Sequence, residues 1–380
     1  MVRVSERFPE FPWDTIAGAK ARAAEHPDGL VDLSIGTPVD PTPEVAREAL
    51  VAAADSPGYP TVFGPESLRQ AAVDWLERRF KITGLSASQV LPTVGSKELI
   101  ANLPTQLGLG AGDLVVIPRL AYPTYEVGAR YAGCEVLATD SMVAVGPRSP
   151  ALIYLNSPAN PHGQIFGKDH LRKVVEFARD RGALLVSDEC YLEFAWDDEP
   201  YSVLHPEICG GSFDGLLAVH SLSKRSNLAG YRDAFVTGDH AVVDELLAVR
   251  KHLGFMLPTP VQAAMTAALG DDAHVEHQRA VYAARRADLR AALESAGFRV
   301  EHSQGALYLW VTRGEPCRDT IVWLAEHGIL AAPGDFYGSA GAEHVRVAFT
   351  ATDERIAAAV KRLSPVRAVA QSPIDAGRGD

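Results

Sequence analysis

Leu216-Leu217-Ala218-Val219 runs through His220 into Ser221-Leu222-Ser223-Lys224-Arg225-Ser226-Asn227-Leu228-Ala229-Gly230-Tyr231-Arg232. Four apolar residues in a row, with no polar alternation, read as a strand buried on both faces. The lysine that follows stands among hydroxyls, with an arginine eight residues further on. Open α/β sheets bind ligands beyond the carboxyl ends of their strands. A lysine so placed could form a Schiff base beside an anchored phosphate. Taken alone, the segment reads equally well as a solvated basic loop.

The same texture extends in both directions. Apolar runs of strand length at 90–91, 114–117, 135–138, 152–155, 183–186 and 235–237 alternate with segments of helical period at 97–107, 125–131, 169–181 and 240–252. This alternation predicts βαβ units and an α/β fold, with a mostly parallel sheet sandwiched by helices. Beyond Pro258 a long Ala/Arg/Glu-rich helical stretch, 261–296, precedes strands near 306–311 and 344–349, which predicts a smaller α+β domain. The first forty residues contain Pro9, Pro12, Pro38, Pro41 and Pro43 and are expected to be irregular and to wrap onto that second unit. The expected division is an N-terminal segment 1–40, a large domain 41–258, a small domain 259–364 and a loose tail 365–380.

Composition narrows the partners. The 380 residues include 36 Lys+Arg and 48 Asp+Glu, a net charge of −12 with no basic run, which disfavours nucleic acid and anionic membranes and leaves small metabolites. Cys134, Cys190, Cys209 and Cys317 are widely spaced and form no CxxC pair, as in reduced thiols; with no apolar leader at the N-terminus, the chain reads as cytoplasmic. Gly108-Leu109-Gly110-Ala111-Gly112-Asp113 has the wrong last position for GxGxxG, and no GxxxxGK[ST] occurs. The pair His274 and His277 reads as a solvated helix face, and no metal is expected.

Two further strand ends carry chemistry. Ser187-Asp188-Glu189-Cys190-Tyr191 follows the run 183–186, and a buried carboxylate there can keep a pyridine nitrogen protonated; the alternative is a helix-capping Asp. The run 152–155 ends in Asn156-Ser157-Pro158-Ala159-Asn160-Pro161-His162-Gly163, where Asn160 could donate to a phenolate oxygen, although an Asn-Pro turn is common.

In this order the three segments resemble the class I/II aminotransferases of fold type I, which use pyridoxal 5'-phosphate, and the resemblance covers nearly the whole chain. It implies that Lys224 is the Schiff-base lysine, that Asp188 faces the pyridine nitrogen, and that Asn160 and Tyr191 reach the ring oxygen. By the same resemblance Arg232 and Ser221 hold the phosphate, and Ser223 belongs to the cofactor site. Gly95-Ser96-Lys97 opens a helix, where free N–H groups and the helix dipole favour an anion, and the family seats its phosphate there. Tyr122 matches the aromatic stacked on the ring, Arg346 the clamp on the substrate α-carboxylate, and Gly36 the glycine loop beside it. Tyr59 matches a tyrosine that reaches the neighbouring subunit's phosphate, which implies a homodimer with shared sites.

Several stretches, among them Phe8-Pro9-Glu10-Phe11-Pro12-Trp13-Asp14 and Gly305-Ala306-Leu307-Tyr308-Leu309-Trp310, are most similar to actinobacterial N-succinyl-LL-diaminopimelate aminotransferases. That similarity implies transfer between N-succinyl-LL-2,6-diaminopimelate and 2-oxoglutarate in lysine biosynthesis. The sequence departs from the pattern at His162, Asp233-Ala234 and Val62-Phe63-Gly64, which leaves an aminotransferase of another pathway open. Arg119 and the cluster Arg250-Lys251-His252 are the candidate cations for a distal carboxylate. Carbon–sulfur lyases share the same cofactor residues, and an effector-sensing regulatory module would need a DNA-binding domain ahead of the sheet.

Overall fold

In the computed structural model, residue 8 and residues 10–364 are described; the tail expected over 365–380 lies outside them. Seven strands form the large sheet in the order Val90–Val94, Asp233–Gly238, Leu216–Ser221, Leu184–Asp188, Leu152–Asn156, Leu114–Ile117 and Glu135–Ala138. Asp233–Gly238 runs antiparallel to both its neighbours and the remaining pairings are parallel, which gives a mostly parallel sheet. The central strands are buried along their whole length, so apolar side chains point to both faces.

Helices cover each face for an evident reason. Lys168–Asp180 buries Leu171, Val174, Val175 and Ala178, the i, i+3, i+4, i+7 pattern of one helical stripe. His240–Leu253 starts where the Asp239 carboxylate accepts from the N–H groups of Ala241 and Val242.

The strands extend further than their apolar runs. Asn156, Asp188 and Ser221 are the last residues of their strands, with Asn156 in register with Asp188 and Ser221 in register with Ala234. The polar residues at the sheet edge are therefore held by ladder hydrogen bonds and not by free loops.

The second unit is a four-stranded antiparallel sheet, Ala332–Pro333, Val345–Ala348, Tyr308–Thr312 and Arg299–Glu301, packed with Ala273–Ser295, Cys317–Glu326 and Asp353–Leu363. Val31–Asp32 pairs in parallel with Ile329–Leu330, and Val31 and Leu33 lie in this unit's core. The N-terminal segment differs from expectation in carrying a helix, Ala17–Ala24.

The stretch 261–296 is two helices, Thr259–Gly270 and Ala273–Ser295, broken at Asp271-Asp272. Ala264, Met265, Ala268 and Leu269 join the large-sheet core, because the first helix packs on Glu44–Ala52 and Glu66–Phe80. The change of core therefore falls near Asp271, about a dozen residues later than the expected boundary after Pro258. His274 is not solvated either: its ring hydrogen-bonds Asp271 at 2.7 Å and Ser226 at 2.9 Å. His277 is exposed. Among the described residues no helix is long and apolar enough to cross a membrane.

Candidate active site

The carboxyl edge of the large sheet meets the second unit in a cleft, and most of the residues singled out from sequence gather there. Asp188 is buried; its Oδ2 accepts from the Tyr125 hydroxyl at 2.7 Å and its Oδ1 from the Cys190 N–H at 3.2 Å. Burial pushes its carboxyl above the usual range, and the two hydrogen bonds oppose that shift. Asn156 holds the adjacent backbone: its Nδ2 donates to the Asp188 carbonyl at 2.8 Å, and its Oδ1 accepts from the Asn160 N–H at 2.7 Å.

Asn160 faces the second unit. Its Oδ1 accepts from Arg346 Nη1 at 2.8 Å, while Arg346 Nη2 donates to the Ser34 carbonyl at 2.7 Å. The Arg346 guanidinium is buried against the ring faces of Tyr308, at 4.0 Å, and Tyr337, at 4.9 Å, and its Nε has no partner. A buried guanidinium with an unused donor, held flat between aromatic rings, can take a carboxylate. Tyr308 also hydrogen-bonds Tyr191, hydroxyl to hydroxyl at 2.8 Å. Residue 36 must be glycine here, since an added Cβ would stand 2.5 Å from Tyr308 Cε1.

Lys224 follows the strand Leu216–Ser221 in a single helical turn, and its ammonium donates to the Gly36 carbonyl. Its pKa falls to about 8, first because burial disfavours the charged form and next because Arg346 lies nearby; Arg232 contributes less. Arg232 takes a left-handed backbone conformation, φ 59°, after the turn Ala229–Tyr231, which turns its guanidinium towards Gly95. Gly95, φ 80°, caps the helix Ser96–Gln106, whose first N–H groups have no partner within the helix. Ser221 Oγ accepts from the Ser223 N–H and donates to the Asp233 carbonyl, which fixes the turn.

Tyr122 lies edge-on to Tyr125, ring centroids 5.8 Å apart, and burial raises its pKa to about 12. Tyr59 stands apart from the cluster and is 97% exposed in the single chain. Tyr125, Asn156 and Tyr308 hydrogen-bond within this cluster and were not among the candidate site residues of the sequence. Tyr125 lies in the first turn of the helix Thr124–Ala132, three residues after Tyr122 in the stretch Ala121-Tyr122-Pro123-Thr124-Tyr125, and that nearness is the one signal that could have revealed it.

In the cation cluster at 250–252, Arg250 is fully buried and its Nη1 and Nη2 are taken by both oxygens of Glu98, at 3.0 and 2.7 Å, and by Gln106, at 3.2 Å, so its charge is already paired, while Lys251 and His252 are exposed. Arg119 is exposed and, among the described residues, its guanidinium makes no hydrogen bond or ion pair; it lines a cavity of about 610 Å³ whose wall includes Ala121 and Tyr337. At the departures from the family pattern, Asp233 is fully buried with both carboxylate oxygens unpartnered. His162 is buried too, Val62 lies in the core, and Phe63 lies beneath the Arg69 guanidinium.

Residues 28–363 match the family described as aminotransferase class I and II. A probable aminotransferase of Mycobacterium tuberculosis is 64% identical over 95% of this chain and 86% of its own length. The 4-dedimethylamino-4-oxo-anhydrotetracycline transaminase of Streptomyces rimosus is 60% identical over 94% and 99%. Among solved structures, a probable N-succinyldiaminopimelate aminotransferase of Thermus thermophilus superposes with a TM-score of 0.84 at 27% identity, covering 93% of this chain and 99% of the other. The lysine, carboxylate and arginines of the cleft thus stand in a chain that belongs to the class I and II aminotransferases, a family dependent on pyridoxal 5'-phosphate.

Proposed function

We propose that this aminotransferase exchanges the amino group of N-succinyl-LL-2,6-diaminopimelate with 2-oxoglutarate, using Lys224, Asp188 and Arg346 for the chemistry. The observation that carries the reading is the convergence of a buried lysine of lowered pKa, a buried carboxylate and an anion seat on one sheet edge. The residues fit the cofactor: the Gly95 helix end with Arg232 suits a phosphate, Asp188 suits a protonated ring nitrogen, and Asn160 with Tyr191 would serve the ring oxygen. When bound, pyridoxal phosphate supplies an electron sink for the bond broken at the substrate Cα.

The chain's own residues supply the rest. Arg346 fixes the α-carboxylate of each substrate in turn, so donor and acceptor share one orientation. Lys224 Nζ, neutral in part near pH 7, takes the Cα proton. Asp188, steadied by Tyr125 and the Cys190 N–H, holds a proton at the ring nitrogen. Tyr59 completes the phosphate seat of a second copy of the chain, so the working unit is a homodimer.

For the substrate, the support is Arg119, a free cation on a cavity that shares Tyr337 with the Arg346 pocket and can meet a distal carboxylate. The 60% identity to a transaminase named for a polycyclic ketone favours a second reading, a bulky ring ketone as amino acceptor. A screen of amino donors, followed by the absorbance of the loaded enzyme, separates them. N-succinyl-LL-diaminopimelate and glutamate should react fastest, with aromatic and short aliphatic donors about tenfold slower, the scale of one lost charged contact. An aromatic or aliphatic donor in first place removes the diaminopimelate reading; pyruvate and ammonia released from a cysteine conjugate would identify a lyase.

A further inference from the structure

A second cavity, about 500 Å³, borders the strand Leu152–Asn156, and neither Lys224, Asp188 nor Arg346 lines it. Ile153, Leu155, Met142 and Phe177 line it together with the buried His162 and the exposed His302. The volume is that of a small-molecule pocket, and the lining is mainly apolar. No lysine or arginine lines it, and the one charged residue that does is Asp140, so an anion is disfavoured.

His162 gives the lining a defined polarity. Its Nδ1 accepts from the Gln164 N–H at 3.2 Å, which assigns the ring proton to Nε2. Burial keeps the ring neutral, with a pKa near 3. His162 therefore presents an uncharged donor beside the exposed imidazole of His302, ring centroids 5.2 Å apart. Such a donor among apolar side chains pairs with a neutral acceptor on an apolar molecule.

The site backs on the active site. His162 and Asn160 belong to one turn; Asn160 faces Arg346, while the His162 carbonyl accepts from the Ser303 N–H at 2.8 Å. We propose that this cavity is a second ligand site, for an uncharged, mainly apolar small molecule carrying one hydrogen-bond acceptor that meets His162 Nε2.

Coumarin tests this: it is neutral, bicyclic and bears a carbonyl acceptor, and it has neither the amine nor the carboxylate that Arg346 and the cofactor recognise. Titrated calorimetrically into the loaded enzyme, it should bind once per chain with a Kd below about 1 mM. Saturating maleate, a dicarboxylate for the Arg346 pocket, should leave that binding unchanged. Met142→Trp, which fills the cavity from a partly exposed position, should abolish it at unchanged thermal midpoint and basal activity, and His162→Phe should weaken it at least tenfold. No heat at the solubility limit of coumarin, displacement by maleate, or full binding by Met142→Trp would each overturn the proposal.

Discussion

The Arg232 guanidinium occupies the space that a side chain on residue 95 would need: a Cβ built on Gly95 would lie 2.9 Å from Arg232 Cζ. The contact joins the end of the last strand crossing to the helix Ser96–Gln106, two elements more than a hundred residues apart in sequence. It also places a fixed positive charge over the helix N-terminus, where an anion gains from both.

Gly95→Ala should therefore lose cofactor before it loses fold. Alanine is strained at φ 80° and must push Arg232 aside. The expected cost is about 1 kcal/mol in stability and about 10–100-fold in cofactor affinity, by analogy with a lost charged hydrogen bond. Equilibrium dialysis of pyridoxal phosphate measures it; unchanged affinity would remove Arg232 and Gly95 from the phosphate seat.

Arg346→Lys keeps the charge but not the planar fork stacked between Tyr308 and Tyr337. The ratio kcat/KM should fall by about 100-fold or more for every amino donor, at the scale of a bidentate contact worth ~2–3 kcal/mol. Steady-state kinetics with several donors checks this. A loss confined to one donor would assign Arg346 to side-chain recognition instead.

Asp233 makes the fold sensitive to pH. Burial raises its carboxyl pKa to about 8, while in the unfolded chain it titrates near the ordinary aspartate value of about 3.9. Between those values the folded state holds a proton that the unfolded state has lost, so stability declines as pH rises from about 4 to 8 and levels off above. Asp233→Ala removes this liability. The variant should melt several degrees higher than the parent at pH 8, a gain on the order of a few kcal/mol, and the difference should shrink towards pH 4. A constant difference across that range would show that Asp233 does not titrate in the folded protein.

Tyr59, 97% exposed in the single chain, has no function there under this account. Mixing Tyr59→Phe chains with Arg346→Ala chains should restore partial activity, since a hybrid dimer collects both lesions in one site and leaves the other whole. Full activity from a monomer in sedimentation would exclude shared sites.

Local patterns revealed the sheet because its strands are short, apolar and separated by helices of clear period, as 152–155 and 216–219 show. The edge residues Asn160, Asp188 and Lys224 were legible because each follows such a run directly. Distant pairing was not legible. Arg250 looked like part of a basic cluster because Glu98, which neutralises it, lies 152 residues away in sequence. His274 looked solvated until Ser226 appeared beside it. Thr259–Gly270 carries no charged residue and so differs from the Arg-rich helix that follows, yet only its packing on Glu44–Ala52 and Glu66–Phe80 assigns it to the large-sheet core. Asp233 was visible as a departure, but its burial without a partner is a property of the assembled sheet.

The central claim is that Lys224 carries the cofactor, with its amine made available by burial beside Arg346. Reducing the loaded enzyme with borohydride, digesting it and locating the modified peptide by mass spectrometry tests this directly. The account predicts a single adduct on Lys224 and none in Lys224→Ala; an adduct on another lysine of the parent enzyme, or one that persists in Lys224→Ala, would contradict it.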